Sequence, residues 1–505
     1  MALLIKNVHI LGSVQKLPDK LDVYVSGEKI AALGRFPTKQ AETIIDGQGC
    51  YLSPGFIDVD NDSDHYLTIF SNPGQGDFIK QGITTIIGGT CGASLAPLIY
   101  GDLDSVKAWA DTREVNVDWH TVKEYLKVLD KKPLGVNYGT FAGHTTVRQA
   151  ITGQPARNLT KNEQVVFGEL LRRSLKEGCF GMSSGLAYAG NRNTPFSELK
   201  SFASIVKEFN GVYSTHLRRS GGGLFDSVDE TIKLAEETGV KTLISHLTPL
   251  RGEENEYEYE RVLERIDNLP SEVDLNFDIY PYDTSVLPLY TFLPDWAQNG
   301  DLSVMRMTLN DKWLAKKVLK DLPEVDVNGF KVAKASGNDS LVGYSLQNLR
   351  KLYLEKSNKE TLLKLMISTN LRATIFYRNL DMSLIKKAIL NPRSFIATNA
   401  ASFSDEHHSE TLKPERATST FPKYLEMMAK EKIITLDAAV NKVTSMAARK
   451  FNILERGVVA EGYFADLVGF DAKFNINFVI VNGRVAVRND ELEDLRGGKI
   501  LRHTC

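Results

Sequence analysis

Apolar and polar residues alternate at both ends of the chain. The alternation covers residues 3–25 near the start, and residues 465–470 and 478–487 near the end. A period of two predicts β-strands that bury one face and expose the other. The dipeptide Asn482-Gly483 interrupts the last apolar stretch and is typical of the turn in a β-hairpin. Both ends are therefore predicted to form short strands.

The middle of the chain follows a different pattern, in which short apolar strands alternate with amphipathic helices. One unit consists of a strand at residues 211–215, a helix at residues 226–238 that Gly239 ends, and a second strand at residues 241–245. Strands that alternate with helices predict a parallel sheet. Repeated over about 350 residues, this pattern predicts an α/β fold in which an eight-stranded barrel carries its helices on the outside.

The alternation is lost in one internal segment. Pro288, Pro294 and Pro323 punctuate a charged, helical-looking stretch there. We interpret residues 285–347 as an insertion that covers the mouth of the barrel.

Composition narrows the classes of partner. Hydrophobic residues make up 42% of the chain and charged residues 25%, and the formal net charge is -2. This balance gives no electrostatic reason to bind nucleic acid or an anionic membrane, so we expect a small-molecule substrate. The sequence has no apolar run of about 18 residues that would span a membrane. Its four cysteines are few and irregularly spaced, which favours a cytoplasmic protein.

Three soft or borderline metal ligands follow predicted barrel strands, whose carboxyl ends face the active-site mouth. They are Cys91, His216 and His246. A thiolate and two imidazoles suit zinc, and three protein ligands leave the fourth tetrahedral position open for water or substrate. Their spacing matches no local zinc motif. Two alternatives therefore stay open: histidines that form structural hydrogen bonds, and a cysteine that packs as a small apolar residue.

Two aspartates, Asp60 and Asp62, follow the first predicted barrel strand. On an extended chain residues i and i+2 face the same side, so their carboxylates are expected to lie together. Two neighbouring anions need a cation, a shared proton or water between them. As oxygen ligands they suit magnesium or manganese better than zinc, and a solvated acidic loop is the alternative. Tyr280 ends another predicted strand and is expected at or near the mouth.

Longer stretches of the sequence carry a family resemblance over nearly the whole chain. They occur in the order LSPGFIDVD, IKQGITTIIGGTCGASLAPL, AGHTTVRQAITG, EGCFGMSSGLAY, NGVYSTHLR, LISHLTP, DIYPYD, STFPK, GVVAEGYFADLVGFD and VNGR. In these stretches the chain resembles the amidohydrolase superfamily, and within it the N-acyl-D-amino-acid deacylases, or D-aminoacylases.

This resemblance implies a (β/α)8 barrel that binds metal at its mouth and a small β-sandwich domain built from both chain termini. We place the β-sandwich at residues 1–54 and 455–505 and the barrel at residues 55–454. In these deacylases a cysteine and two histidines hold the tightly bound zinc. The matching positions here are Cys91, His216 and His246, so we expect one zinc ion per chain.

The sequence departs from the family pattern at three positions. The family's paired histidines, which offer a weaker second metal position, are replaced by Asp60 and Asp62. Its catalytic aspartate falls on Asn399, and a lysine near the substrate carboxylate falls on Thr248. Arg416 still fits the family's carboxylate-binding arginine.

The change at Asn399 bears most directly on catalysis. The mechanism implied by the family asks an aspartate to take a proton from the attacking water and pass it to the leaving amine, and an amide side chain has no useful proton affinity. Losing such a base typically costs about 100-fold to 10,000-fold in rate. Another acid is the alternative, either Asp60 or Asp62 in the same cavity or the nearby Asp405 and Glu406.

Three functional hypotheses remain. The first is a zinc-dependent amidohydrolase that cleaves a linear amide, with Asp60 as the displaced acid and base, Tyr280 polarising the carbonyl and Arg416 holding an anionic end. The second is a pseudoenzyme that keeps the pocket and serves as a binding or regulatory protein. The third is a changed reaction, such as acyl transfer or cyclisation, in which a water-activating base would be unwanted.

Overall fold

The computed structural model of the chain describes residues 2–13, 18, 20–37, 41–101, 103–107, 109–153, 157–188, 190–298, 302–404, 411–493 and 496–504. In chain order the strands are β1 (Ala2–Ile10), β2 (Leu21–Ser26), β3 (Lys29–Gly34), β4 (Thr43–Asp46), β5 (Tyr51–Pro54), β6 (Phe56–Asp58), β7 (Ile83–Gly88), β8 (Asn137–Thr140), β9 (Ala142–Gly143), β10 (Gly181–Gly185), β11 (Val212–His216), β12 (Lys241–Ile244), β13 (Leu275–Ile279), β14 (Thr284–Pro288), β15 (Phe330–Ala335), β16 (Ala373–Arg378), β17 (Ser394–Ile396), β18 (Leu467–Phe470), β19 (Ile476–Val481), β20 (Arg484–Arg488) and β21 (Glu491–Leu492). The α-helices are α1 (Thr68–Ser71), α2 (Gly76–Lys80), α3 (Val122–Leu129), α4 (His144–Thr152), α5 (Lys161–Lys176), α6 (Phe196–Glu208), α7 (Leu224–Thr238), α8 (Glu253–Asp267), α9 (Leu302–Asn310), α10 (Lys312–Asp321), α11 (Leu346–Tyr353), α12 (Asn358–Ser368), α13 (Met382–Leu390), α14 (Arg416–Glu431), α15 (Leu436–Lys442) and α16 (Ser445–Lys450).

Parallel strands form the centre of the fold. Their hydrogen bonds arrange them as a six-stranded sheet in the order β17-β13-β12-β11-β10-β9 and a three-stranded sheet in the order β6-β7-β8. Helices α6, α7 and α8 connect successive strands from β10 to β13. Each of these crossovers returns the chain to the same edge, so the carboxyl ends of β10 to β13 adjoin. The predicted α/β class with a parallel sheet is confirmed.

A nine-stranded sheet joins the two ends of the chain. Its order is β21-β20-β19-β18-β5-β1-β2-β3, with β4 paired to β1. Val23 from the first part of the chain and Phe478 from the last belong to the same buried cluster. The turn between β19 and β20 lies at Asn482 and Gly483, which both have positive φ, as a tight hairpin requires. The predicted terminal strands and hairpin are confirmed.

The segment after β13 differs from the helical stretch that we predicted. It contains a three-stranded antiparallel sheet in the order β14-β16-β15, and a separate apolar cluster from Leu289 to Ile375 joins this sheet to α9, α10, α11 and α12. The sequence analysis missed the sheet because its strands lie far apart in the chain and pair across intervening helices. The domain boundaries and the role of this segment as a cover stay predictions.

Two further features bear on the expected environment of the protein. In the described ranges, no helix combines the length and the apolar character needed to span a bilayer. Cys50, Cys91 and Cys179 are buried free thiols.

Candidate metal centre

Three strand ends place Cys91, His216 and His246 close together. Cys91 follows β7, His216 is the last residue of β11, and His246 lies two residues after the end of β12. Strands β11 and β12 pair in parallel, with Thr215 opposite Ile244, so their carboxyl ends lie side by side. The fold thus brings three distant stretches of sequence to one point.

The ligand-type atoms of these residues converge. Sγ of Cys91 lies 3.3 Å from Nε2 of His246, and the ring centroids of His216 and His246 are 4.4 Å apart. One ligand atom from each residue lies within 4.8 Å of the other two. Ligand atoms around a tetrahedral zinc stand about 3.3–3.6 Å apart. Over the part of the chain that the structure describes, this is the only group of three or more His, Cys, Asp or Glu side chains with such spacing.

The backbone around the centre is strained. Cys91, His246 and Asn399 have φ values of 52°, 37° and 44°, in the left-handed region that non-glycine residues seldom adopt. Each such residue costs on the order of 1 kcal/mol or more, and such residues cluster at functional sites. The carboxylate of Asp278 supports one of them, because its Oδ1 accepts a hydrogen bond of 2.9 Å from the backbone N–H of His246.

The charge states of the three residues favour a cation between them. Burial raises the pKa of the Cys91 thiol well above its usual value, and the nearby carboxylates of Asp60 and Asp62 raise it further. Burial also lowers the pKa of both His216 and His246. The imidazoles are therefore neutral, and the thiol ionises only beside a positive charge. Moreover, the buried Nδ1 of His216 has no hydrogen-bond partner among the described residues. This donor set fits a zinc ion.

Asp60 is fully buried next to this centre. Neither of its carboxylate oxygens makes a well-formed hydrogen bond with a described residue, although Thr90 and Ser245 lie close enough to favour its charged form. Burial raises the pKa of Asp60, and the nearby His246 opposes that shift. Burial and the charge of Asp60 also raise the pKa of Asp278. Two buried carboxyls this close need a proton or a cation.

Asp62, in contrast, has a fixed partner. Its Oδ1 lies 3.1 Å from Nδ1 of His65, and Nε2 of the same ring lies 3.2 Å from the carbonyl oxygen of Ala93. Although burial opposes the shift, Asp64 and Asp62 raise the pKa of His65 to about 9. The imidazole is therefore protonated and donates from both nitrogens. Its hydrogen bond holds the pKa of Asp62 below the usual value despite burial.

The two aspartates thus have different environments, which corrects the expectation of a matched pair on an extended strand. The physical reason is that β6 ends at Asp58, so the alternation of side chains stops before Asp60 and Asp62. Neither aspartate belongs to the cluster of cysteine and histidine ligands. The sequence analysis also missed His65, although a histidine directly after four alternating acidic positions offered a signal.

Asn399 and Arg416 line a small pocket together with Asp62. The side chain of Arg416 is only 5% exposed, and its guanidinium lies 4.5 Å from the centre of the Tyr280 ring. The buried Nε of Arg416 has no hydrogen-bond partner among the described residues. A buried cation without an ion-pair partner is costly, which points to an anionic ligand. Tyr280, itself 3% exposed, supports this arginine through a cation–π contact that the sequence analysis did not foresee.

Tyr188 is a second residue that sequence reasoning missed. Its ring centroid lies 4.9 Å from that of His216, and its hydroxyl partly offsets the raised pKa of Cys91. It belongs to the stretch EGCFGMSSGLAY, which carried the family resemblance. The alternative acids Asp405 and Glu406 lie outside the described residues.

Comparison with known proteins relates the whole chain to one group of enzymes. No protein-family model matches the chain. The N-acyl-D-aspartate deacylase of Alcaligenes xylosoxydans xylosoxydans is 26% identical over 501 residues, covering 95% of this chain and 91% of the relative. The N-acyl-D-glutamate deacylase of the same organism is 27% identical over 504 residues, covering 96% and 93%.

Solved structures show the same fold. The crystal structure of a D-aminoacylase, described as defining a novel subset of amidohydrolases, superposes with a TM-score of 0.80 at 24% identity and covers 99% of both chains. The N-acyl-D-glutamate deacylase from Bordetella bronchiseptica, solved with zinc and a phosphonate inhibitor, gives a TM-score of 0.80 at 23% identity, again over 99% of both chains. The chain is therefore a member of the amidohydrolase superfamily and a homologue of the N-acyl-D-amino-acid deacylases.

Proposed function

We propose that this protein is a zinc-dependent amidohydrolase that cleaves the linear amide bond of an N-acyl amino acid. The observation that carries the proposal is the convergence of Cys91, His216 and His246 from three strand ends, with ligand atoms within 4.8 Å of one another. Curated relatives that cover almost the whole chain are deacylases of N-acyl-D-amino acids, which supports the same class of reaction here.

Cys91, His216 and His246 would hold one zinc ion per chain. One thiolate and two imidazoles match the preference of zinc for nitrogen and sulfur, and three protein ligands leave a position open. Bound zinc would polarise the amide carbonyl and lower the pKa of a water molecule. We assign no second metal to Asp60 and Asp62, because Asp62 is engaged by His65.

Asp60 would carry the proton in this site. It would accept a proton from the attacking water through a carboxylate oxygen and then donate it to the nitrogen of the leaving amine. Both of its oxygens lack a well-formed hydrogen bond among the described residues, so they remain able to do so. Asn399 cannot take this role because its amide does not bind a proton at neutral pH.

Arg416 would bind the carboxylate of the amino-acid part of the substrate. Its guanidinium is buried, carries no ion pair with a described residue and is held on the ring of Tyr280. Such a cation forms two parallel hydrogen bonds with a carboxylate and fixes the orientation of the amide. Because Tyr280 packs beneath Arg416, we assign it to positioning the arginine in addition to the predicted polarisation of the carbonyl.

The test is metal content and turnover of protein purified without chelator. We expect about one zinc per chain and hydrolysis of N-acyl-D-amino acids, both lost in Cys91→Ala. The control Cys179→Ala removes another buried thiol, distant from the centre in the hydrophobic core, and should keep both. Absence of zinc from the wild type, or full zinc in Cys91→Ala, would contradict the proposal.

One observation favours a second candidate, a binding protein that retains the pocket without turnover. Asn399 lines the substrate pocket beside Arg416 at the position where the family has its proton carrier. If the second candidate is right, the wild type binds zinc and substrate without hydrolysis, and Asn399→Asp gains deacylase activity. If the first is right, Asn399→Asp gains nothing essential, and Asp60→Asn abolishes turnover.

A further inference from the structure

A large cleft adjoins the metal centre. It encloses about 1460 Å³ and lies between residues 93–190 of the α/β part and residues 288–374 of the segment after β13. Its inner wall includes Tyr188, whose ring lies against His216 at a centroid distance of 4.9 Å. Pockets for small ligands usually enclose about 300–1,000 Å³. The cleft therefore offers more room than a compact N-acyl amino acid needs.

The part of the cleft next to the centre is aromatic and apolar. Trp109 meets Tyr188 edge to face at 5.6 Å, and Leu98, Pro288 and Tyr290 also line the wall. This surface suits the hydrocarbon part of an acyl group. It gives no reason for the charge that follows further along.

The facing wall is a polar sheet surface. Strands β15 and β16 pair with Lys334 opposite Thr374 and Ala335 opposite Ala373. Ala335 and Ala373 are buried in the apolar cluster of their segment, so by alternation the neighbouring positions face the other way. The side chains on that face are Lys334, Ser336, Arg372 and Thr374, and all four line the cleft.

This wall carries uncompensated positive charge. Lys334, Arg372 and Arg306 from α9 all line the cleft, and none of them forms an ion pair or a side-chain hydrogen bond with another residue in the described ranges. The Nε of Arg306 is moreover buried without a partner. Cations that sit in a cavity unpaired are placed to meet an anion of the ligand.

The opposite wall shows what compensated charges look like in the same cleft. Lys107 pairs with Asp104, and Arg113 binds Asp111 with Nε 2.8 Å from Oδ1. These pairs close on themselves, although the positive charge of Arg372 also reaches Asp111. The surplus of positive charge is thus concentrated on the sheet surface formed by β15 and β16.

We propose that this surface is a second anion subsite, formed by Lys334, Arg372 and Arg306, and that the acyl arm of the substrate ends in a carboxylate that binds there. The inference rests on the proposed function, in which Arg416 holds the carboxylate of the amino-acid part. The substrate class is an N-acyl amino acid whose acyl group derives from a dicarboxylic acid. Its hydrocarbon part lies along Trp109 and Tyr188.

The subsite explains the position of Lys334. This residue and Thr374 line both the large cleft and the small pocket that holds Asn399 and Arg416. A substrate with an acid at each end would be held by cations on both sides of its amide. The amide is then fixed between them, which offsets the loss of the family's lysine at Thr248.

Matched substrates test the proposal. We would compare kcat/KM for N-succinyl-, N-glutaryl- and N-adipoyl-D-alanine with those for N-butyryl-, N-valeryl- and N-hexanoyl-D-alanine, which carry a methyl group in place of the terminal carboxylate. We expect at least one diacid derivative to exceed its neutral partner about tenfold or more, as one charge-assisted contact allows. The ratio should fall toward one in Lys334→Met/Arg372→Gln. It should persist in Lys107→Met, which removes a cation from the opposite wall.

A binding measurement separates this proposal from the proposed function. Calorimetry of N-glutaryl- and N-valeryl-D-alanine with the purified protein reports the preference whether or not the amide is cleaved. Preferential binding that depends on Lys334 and Arg372 without any turnover would keep the subsite and refute hydrolysis. Turnover of the neutral substrates with equal or better rates than every diacid derivative would refute the subsite and keep hydrolysis.

One further comparison tests which end of the substrate the cations contact. If N-butyryl-D-glutamate exceeds N-butyryl-D-alanine and loses that advantage in Lys334→Met/Arg372→Gln, the cations contact the side chain of the amino acid. That result would overturn the assignment to the acyl arm. Equal dependence of both amino acids on these residues, with the diacid preference intact, supports it.

Discussion

Sγ of Cys91 lies 3.3 Å from Nε2 of His246, although 155 positions separate the two residues in sequence. No short motif creates this contact. It exists because β7 and β12 end on the same side of the fold, and His216 at the end of β11 completes the group. A metal ion bound here would tie three strand ends together.

Removal of that metal should therefore destabilise the protein. A ligand that binds only the folded state adds about 4 kcal/mol when present at a thousand times its dissociation constant. We expect a chelator to lower the midpoint of thermal unfolding of the wild type by several degrees, as differential scanning calorimetry would record. Cys91→Ala should already unfold at the lower temperature and respond little to chelator. Identical chelator responses in both proteins would contradict a metal held by Cys91.

Asp60 and Asp62 should behave differently when neutralised. Asp60→Asn removes the proposed proton carrier and should lower kcat about 100-fold to 10,000-fold while zinc content stays near one per chain. Asp62→Asn breaks the ion pair with His65 and should mainly lower stability, because it leaves a buried imidazolium with one fewer anion. Rates, zinc content and urea unfolding of the two variants decide the matter. Full turnover of Asp60→Asn would rule out Asp60 as the base.

Arg416 should determine affinity for the free carboxylate of the substrate. Arg416→Met should raise KM for an N-acyl amino acid about 10-fold to 100-fold, because a charge-assisted hydrogen-bonded pair is worth about 1.5–3 kcal/mol. An N-acyl amine, which has no carboxylate, should be hydrolysed equally slowly by both proteins. Tyr280→Leu should show a smaller increase in KM through loss of the cation–π contact. An unchanged KM in Arg416→Met would place the carboxylate elsewhere.

Lys442 should give stability a pH dependence of known sign. Its ammonium is buried against the carbonyl oxygen of Asn391 and the hydroxyl of Ser394, and burial lowers its pKa to about 7. The unfolded chain, with a lysine pKa of about 10.4, binds more protons above pH 7, so the free energy of unfolding rises with pH. The penalty is complete below pH 7 and disappears as pH approaches 10.

The comparison with Lys442→Met isolates this effect. Between pH 7 and 9 the wild type should gain about 2 kcal/mol relative to the variant in urea unfolding. Lys450, whose pKa burial lowers to about 8, is present in both proteins and cancels. Equal pH dependence of wild type and variant would show that Lys442 titrates normally.

The sequence predicts the regular elements well where local signals are complete. The helix predicted at residues 226–238 is α7, Leu224–Thr238, and Gly239 ends it with a positive φ of 64°. The strands on either side of it are β11 and β12, so the periodic pattern and the glycine stop were sufficient. The hairpin at Asn482-Gly483 was equally local in origin.

Features that depend on distant contacts could not be predicted in this way. The ladder of β15 and β16 places Lys334 opposite Thr374, and no periodicity within either strand reveals that register. His65 was overlooked for a similar reason, because its role depends on acceptors at both ring nitrogens. The convergence of Cys91, His216 and His246 was expected only through the family resemblance, since their separation in sequence carries no zinc motif.

The most direct test of the account is zinc K-edge X-ray absorption on the protein as purified. We expect about one zinc per chain with one sulfur neighbour at about 2.3 Å and nitrogen or oxygen neighbours at about 2.0–2.1 Å, and loss of the sulfur contribution in Cys91→Ala. A zinc ion with no sulfur neighbour, or protein that contains no metal at all, would contradict it.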